Sequence, residues 1–299
     1  MFKIYLGLLS AVFFWASAFV GIAICLQDFS PQTVGAGRGL VSSLIALILY
    51  LKYFKTRYPL VDRLQALGLG VLGIGVYGFF LNMGEKTVPA GVAGFIIGQM
   101  PLIASILAFI FFKEKIGLRL LIGTFVSLIG LFFIMLGTSV ENSIGQGVFF
   151  IGISTLSAAL YTCFQKPVIK RMSTIPFICH AIWGGSFFLI FLALLSKVSI
   201  INEIKQAPFL CNFSLVYLGI GPSVIAYIGW TYALARVNVA KAGILFYSIP
   251  VLGGLLAWFL LREIPTKVTL FGMLFASIGA LIGTFNFKRK ESPKSVPTN

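Results

Sequence analysis

The side chains able to do chemistry in this chain are mostly aromatic and neutral. Trp15, Tyr77, Tyr161, Tyr227, Trp230 and Tyr247 each join an apolar face to one hydrogen-bonding group, and Gln99 and Ser248 add neutral donors and acceptors. Groups of this kind suit a pocket for an amphipathic solute. The densest cluster is Tyr227, Trp230, Thr231 and Tyr232, with Tyr161, Thr162 and Gln165 set opposite Trp15. Packing explains Trp15 as well as cavity lining does. Arg38 is the one fixed positive charge well inside an apolar run, about 10 Å from its end at 1.5 Å per residue. Two roles fit it: holding a substrate anion, or bonding carbonyls of neighbouring helices, with Gly35, Gly37 and Gly39 allowing close approach. The structural role is preferred. Catalysis finds no support, because there is no HExxH, no GxSxG, a single histidine and no close carboxylate pair. No catalytic residue, metal ligand or cofactor is expected. Cys25, Cys163, Cys179 and Cys211 lack metal-ligand spacing and read as inert thiols.

These residues must be positioned inside a bilayer. Of 299 residues 59% are hydrophobic and 10% charged, against roughly 25% charged in a soluble domain. Ten apolar runs of spanning length are expected, at 4–26, 32–51, 64–84, 91–112, 120–138, 146–165, 175–196, 212–234, 242–261 and 268–287. The longest connection, 197–211, leaves no room for a soluble domain. The net charge of +15 is a topology signal. With the N-terminus inside, 17 of the 23 Lys and Arg fall on the inner side and five on the outer, which places both ends in the cytoplasm. That distribution argues against a nucleic-acid partner. The first twenty residues look like a signal peptide, yet Leu9-Ser10-Ala11 is echoed by Leu156-Ser157-Ala158, so the first run is expected to stay as part of a repeat.

The repeat is plainest at an offset of 149, where Ala93–Gly130 falls on Ala242–Gly279 without a gap. Pro101 and Pro250 match, as do Glu114 and Glu263, Gly123 and Gly272, and Gly130 and Gly279. Two five-helix halves follow, 4–137 and 146–287, with a disordered tail at 288–299. Five is odd, so the second half is inverted relative to the first, an architecture common among transporters. The fold class is an all-α membrane protein of ten transmembrane helices in two inverted five-helix repeats. Pro101 frees the carbonyl of Ile97 and Pro250 that of Phe246, so paired helix breaks are expected beside Gln99 and Tyr247-Ser248. Gly68-Leu-Gly70-Val-Leu-Gly73 matches a dinucleotide fingerprint but lies in an apolar run, where its glycines serve packing. Glu85 reads as interfacial and His180 as a satisfied or interfacial group near the end of its run.

With the repeat, the paired prolines and the trailing glutamates in view, the chain resembles the EamA family of the drug/metabolite transporter superfamily. Trp15, Pro31…Arg38, Pro101…Lys113-Glu114 and Pro250…Arg262-Glu263 carry the likeness, each core segment being followed by a glycine-rich helix. The family's frequent Gly-Glu is Lys-Glu and Arg-Glu here. The resemblance implies a central cavity and transport of small metabolites, often amino acids or amines and commonly outward, across a bacterial inner membrane. With no Asp or Glu near mid-depth in any run, facilitated diffusion or exchange of a neutral, zwitterionic or anionic metabolite is expected. A nucleotide-sugar or purine carrier is the main alternative; a non-transporting membrane sensor or an intramembrane enzyme is more remote. Expected partners are a small-molecule substrate and membrane lipid, with a homo-oligomer left open.

Overall fold

The computed structural model describes residues 2–53, 58–113, 117–138, 142–234, 236, 246 and 248–284. The described chain is helical and contains no strand. Its long helices are α1 Phe2–Cys25, α2 Pro31–Tyr53, α3 Leu60–Glu85, α4 Ala90–Phe112 and α5 Leu118–Thr138. The second series is α6 Asn142–Met172, α7 Thr174–Leu195, α8 Phe209–Ala233, α9 Ser248–Leu261 and α10 Lys267–Thr284. A short helix, Ile200–Gln206, lies in the α7–α8 connection. Seven of these, α1–α4 and α6–α8, are long and apolar enough to cross a membrane, while α5, α9 and α10 supply shorter apolar stretches among the described residues. The ninth expected run is described only in part, and Tyr247, Glu114 and the tail lie outside the described residues.

Local sequence sets several boundaries. Pro31 opens α2, and Pro59, Pro89 and Pro208 immediately precede α3, α4 and α8, where a missing N–H costs nothing. One expected boundary was too short. The sixth helix continues past residue 165 and through Pro167 to Met172, because packing outweighs one lost hydrogen bond there. Val168 and Met172 are buried, and Arg171 forms an ion pair with Asp62 of α3 at 2.6 Å. Outward-facing side chains are apolar: Leu44, Ile48 and Leu51 form an exposed stripe on α2, as Phe187 and Leu194 do on α7. Such a surface is at home in lipid.

The helices pair in a pattern that survives exchanging each with the one five places on. α2 packs on α7, α4 on α9 and α5 on α10; α1 lies against α8 and α9, and α6 correspondingly against α3 and α4. Equivalent helices run antiparallel: Gly39 abuts Ser186 while Trp183 Nε1 donates to Ser43 O, and Gly137 abuts Thr269 while Gly279 abuts Ser127. The α5–α10 contact is self-complementary residue by residue. A Cβ on Gly130 would lie 2.2 Å from Ala276 N, and one on Gly279 would lie 2.4 Å from Ser127 N. At the 149 offset these are the same contact made twice, as a twofold demands. Only glycine permits so close a backbone approach. The remaining directions follow. α3 is antiparallel to its neighbours α2 and α6, the latter through Ser157 Oγ to Leu72 O and Ser154 Oγ to Tyr77 O. α8 is parallel to α2, since Gly37 meets Leu215 and Val41 meets Gly219. Hence α6 and α8 are parallel.

Three helices change their hydrogen-bonding ladder, and two do so at matching places. α3 has a π-helical stretch at Val71–Val76 and α8 one at Gly221–Ile225; α9 has another at Ala257–Leu261. α4 is divided into Ala90–Ile97 and Met100–Phe112 by a turn at Gly98-Gln99, just before Pro101. The break meets the opposite half: a Cβ on Gly98 would lie 2.9 Å from Pro250 Cγ.

Candidate functional site

The π-helical stretch of α3 borders a partly enclosed cavity, and that of α8 ends just before the cavity-lining Tyr227. From the first half it is lined by Trp15 and Phe19 of α1, Gly73 and Tyr77 of α3, and Ile97 and Met100 at the α4 break. The second half contributes Ala158, Tyr161 and Thr162 of α6, Tyr227 and Trp230 of α8, and Phe246 and Ile249. Among the described residues, none in the lining carries a formal charge.

A π-helical stretch leaves carbonyls without their usual i+4 donors, and side chains of the facing helices supply replacements. Trp15 Nε1 donates to Pro222 O at 3.2 Å, within the α8 stretch. Tyr227 Oη donates to Gly73 O at 2.9 Å, and Ser157 Oγ to Leu72 O at 2.6 Å, both in the α3 stretch. The aromatic wall therefore also holds two irregular backbones in place. Its rings meet edge to face, the geometry their quadrupoles favour. Trp15 lies 5.4 Å from Tyr227, 5.5 Å from Trp230 and 6.1 Å from Phe246. Tyr161 lies 6.2 Å from Tyr227 and stacks on the fully buried Phe177.

Of the residues singled out in the sequence, Trp15, Tyr77, Tyr161, Tyr227 and Trp230 line the cavity. Gln99 does not. It is buried in the α4 turn beside Met100, with Nε2 donating to Phe95 O at 3.3 Å. Ser248 is exposed and outside the lining, while its neighbours Phe246 and Ile249 are in it. Pro101 is half-buried and Pro250 buried, both outside the lining, and Pro250 packs against Gly94 and Gly98 of α4. Arg38 is buried and directed at α8, where Nε and Nη2 donate to Ser223 Oγ at 3.2 and 3.0 Å. It ties α2 to the π-helical stretch, outside the lining.

One of the two expectations near helix ends needs correction, that for Glu85, while His180 is satisfied as expected. Glu85 is buried and not interfacial, with neither carboxyl oxygen hydrogen-bonded among the described residues, whereas Lys86 is exposed. His180 is buried, with Nδ1 at 2.8 Å from Pro176 O and its ring against Tyr50 and Trp183. Glu263, noticed only as part of the repeat, has a definite task. Its oxygens accept the Ala90 and Gly91 N–H bonds at 2.9 and 3.0 Å, fastening the end of α9 to the start of α4. Sequence reasoning missed Phe19, Ile97, Met100, Phe246 and Ile249, which carry no signal in so apolar a chain. The π-helical stretches did leave one: glycine clusters Gly68–Gly75 and Gly219–Gly221 with Pro222 at corresponding places.

An all-helical, multi-pass membrane protein with two like halves around an aromatic cavity is the architecture of a solute carrier. The profile of the EamA-like transporter family matches residues 2–136 and again 145–285, and the chain belongs to that family. It is 33% identical over 91% of its length to the uncharacterized transporter YdfC of Bacillus subtilis, covering 87% of that protein. It is 28% identical, over 92% of its own length and 91% of the relative's, to a probable terminal-alkyne amino-acid exporter of Streptantibioticus cattleyicolor. It is 24% identical to a probable amino-acid metabolite efflux pump of Escherichia coli, with 96% of each chain covered. A crystal structure 19% identical in sequence shares the fold at a TM-score of 0.67, covering 94% of this chain and 96% of the other. The names indicate a transporter rather than an enzyme.

Proposed function

We propose that this chain carries small metabolites of the amino-acid class across a bacterial inner membrane by alternating access, with both termini in the cytoplasm. One observation carries the reading: the cavity lies between the halves and is walled by equivalent parts of each. Tyr77 and Tyr227 each follow the π-helical stretch of their half. A site on the pseudo-twofold is reached from one side in one conformation and from the other when the halves exchange shapes. The repeat units are 4–137 and 146–287, and the substrate contacts Trp15, Tyr77, Tyr161, Tyr227 and Trp230. Gln99, Pro101, Pro250 and Arg38 serve this site indirectly, by shaping the helices around it. The uncharged lining suits a solute without net charge, and the relatives named for amino-acid export support that class.

The test is counterflow into vesicles containing the purified protein, with radiolabelled L-leucine, L-phenylalanine, a nucleoside and a nucleotide sugar. Saturable exchange of an amino acid is expected, falling at least about tenfold in Trp230→Ala. Exchange of the nucleotide sugar alone would contradict the reading.

A further inference from the structure

The hydrogen-bonding groups of the cavity are unevenly used. Trp15 Nε1 and Tyr227 Oη are spent on π-helical carbonyls, and Thr162 Oγ1 donates to Met100 Sδ at 3.6 Å. Next to this lining, four buried polar atoms have no partner among the described residues. They are Tyr161 Oη, both amide atoms of Gln165, and Thr231 Oγ1. Tyr161, 5% exposed, is part of the lining, whereas Gln165 and Thr231 are fully buried just behind it. Gln165 lies one turn beyond Tyr161 on α6, and Thr231 one turn beyond Tyr227 on α8, on the same helix faces. Because α6 and α8 are parallel and the two tyrosine rings meet, both residues fall at the same end of the cavity. A buried primary amide with every donor and acceptor free is costly, and such groups in native structures call for a partner.

Building on the transport reading, we infer that Tyr161, Gln165 and Thr231 form the polar end of the binding site and hold the zwitterionic head group of an α-amino acid, its apolar side chain lying against Trp15, Trp230 and Phe246. The chemistry matches group by group. The Gln165 Nε2–H bonds and the Tyr161 and Thr231 hydroxyls donate to a carboxylate, and Gln165 Oε1 accepts from an ammonium. No charged side chain among the described residues lines the cavity, so against these a lone carboxylate or a lone amine would be buried without a counter-charge, while a zwitterion brings both signs together. The same groups then set specificity, since a site built around hydrogen bonds rejects analogues that leave them unpaired.

The experiment uses the full-length protein in detergent, with L-leucine, isoamylamine (leucine without its carboxylate) and isocaproate (leucine without its amine) as probes. Wild type is expected to bind L-leucine and neither analogue. Gln165→Leu is expected to weaken L-leucine binding at least about tenfold and yet raise the melting temperature of the ligand-free protein, because an unsatisfied amide has been removed. Thr231→Val should move both readouts in the same directions. A lowered melting temperature in Gln165→Leu, unchanged L-leucine affinity, or equal binding of isoamylamine would overturn the assignment. If wild type exchanges L-leucine in vesicles while Gln165→Leu binds it normally, this assignment falls and the transport reading stands. If wild type neither binds nor exchanges any amino acid, both fall.

Discussion

At the scale of single residues, the cavity wall does two tasks with one set of atoms. Trp15 and Tyr227 line the cavity and turn their polar atoms to carbonyls of the π-helical stretches. Tyr227→Phe keeps the ring and removes that bond, leaving Gly73 O buried without its donor. A loss of about 1–3 kcal/mol is expected, measured as a lower thermal midpoint, together with slower counterflow. Glu263 belongs to the same scale. Its charge-assisted bonds to Ala90 and Gly91 cap α4 at its positive end, so Glu263→Ala should cost about 1–2 kcal/mol in the same measurement. An unchanged midpoint would mean the cap is dispensable. Five of the cavity's side chains were legible in the sequence because Trp and Tyr stand out among Leu, Ile and Phe. Glu85 was misread because its burial is set by tertiary packing, which its neighbours in sequence do not show. Arg38 was legible as an anomaly, and its attachment to Ser223 emerged only from the packing of α2 on α8.

At the scale of elements, interruptions place the site. The sequence pointed to Pro101 and Pro250, and α4 is indeed divided just before Pro101. The interruptions that contribute Gly73 to the wall and set Tyr77 and Tyr227 in it are the π-helical stretches of α3 and α8. A shift from i+4 to i+5 bonding changes no residue type, so only glycine clustering and Pro222 hinted at it. Pro101→Ala restores an N–H that can reach Ile97 O and favours a continuous α4. The expected outcome is a thermal midpoint equal to or above wild type with counterflow several-fold slower, because the break at Gly98-Gln99 would be straightened. Undiminished flux in a demonstrably folded Pro101→Ala protein would remove the break from the mechanism.

At the scale of the whole molecule, an internal twofold links distant parts of the sequence. The α5–α10 seam, where Gly130 meets Ala276 and Gly279 meets Ser127, is one contact made twice. Gly130→Val and Gly279→Val should therefore destabilise by similar amounts, roughly 2–4 kcal/mol each, whereas Phe125→Leu on the outward face should change little. Markedly unequal effects would mean that the halves are not energetically equivalent. The repeat was readable from matched prolines, glutamates and glycines, while its closure into antiparallel pairs needed coordinates. The central claim is that the aromatic cavity between the halves holds the transported solute, and the four tryptophans offer a direct test. Trp15 and Trp230 line the cavity; Trp183 and Trp258 do not. Intrinsic fluorescence of the purified protein is titrated with L-leucine and L-phenylalanine. A saturable change that persists in Trp183→Phe/Trp258→Phe and disappears in Trp15→Phe/Trp230→Phe is the predicted result. A change that survives loss of Trp15 and Trp230 but vanishes with Trp183 and Trp258 would place the solute elsewhere and contradict the account.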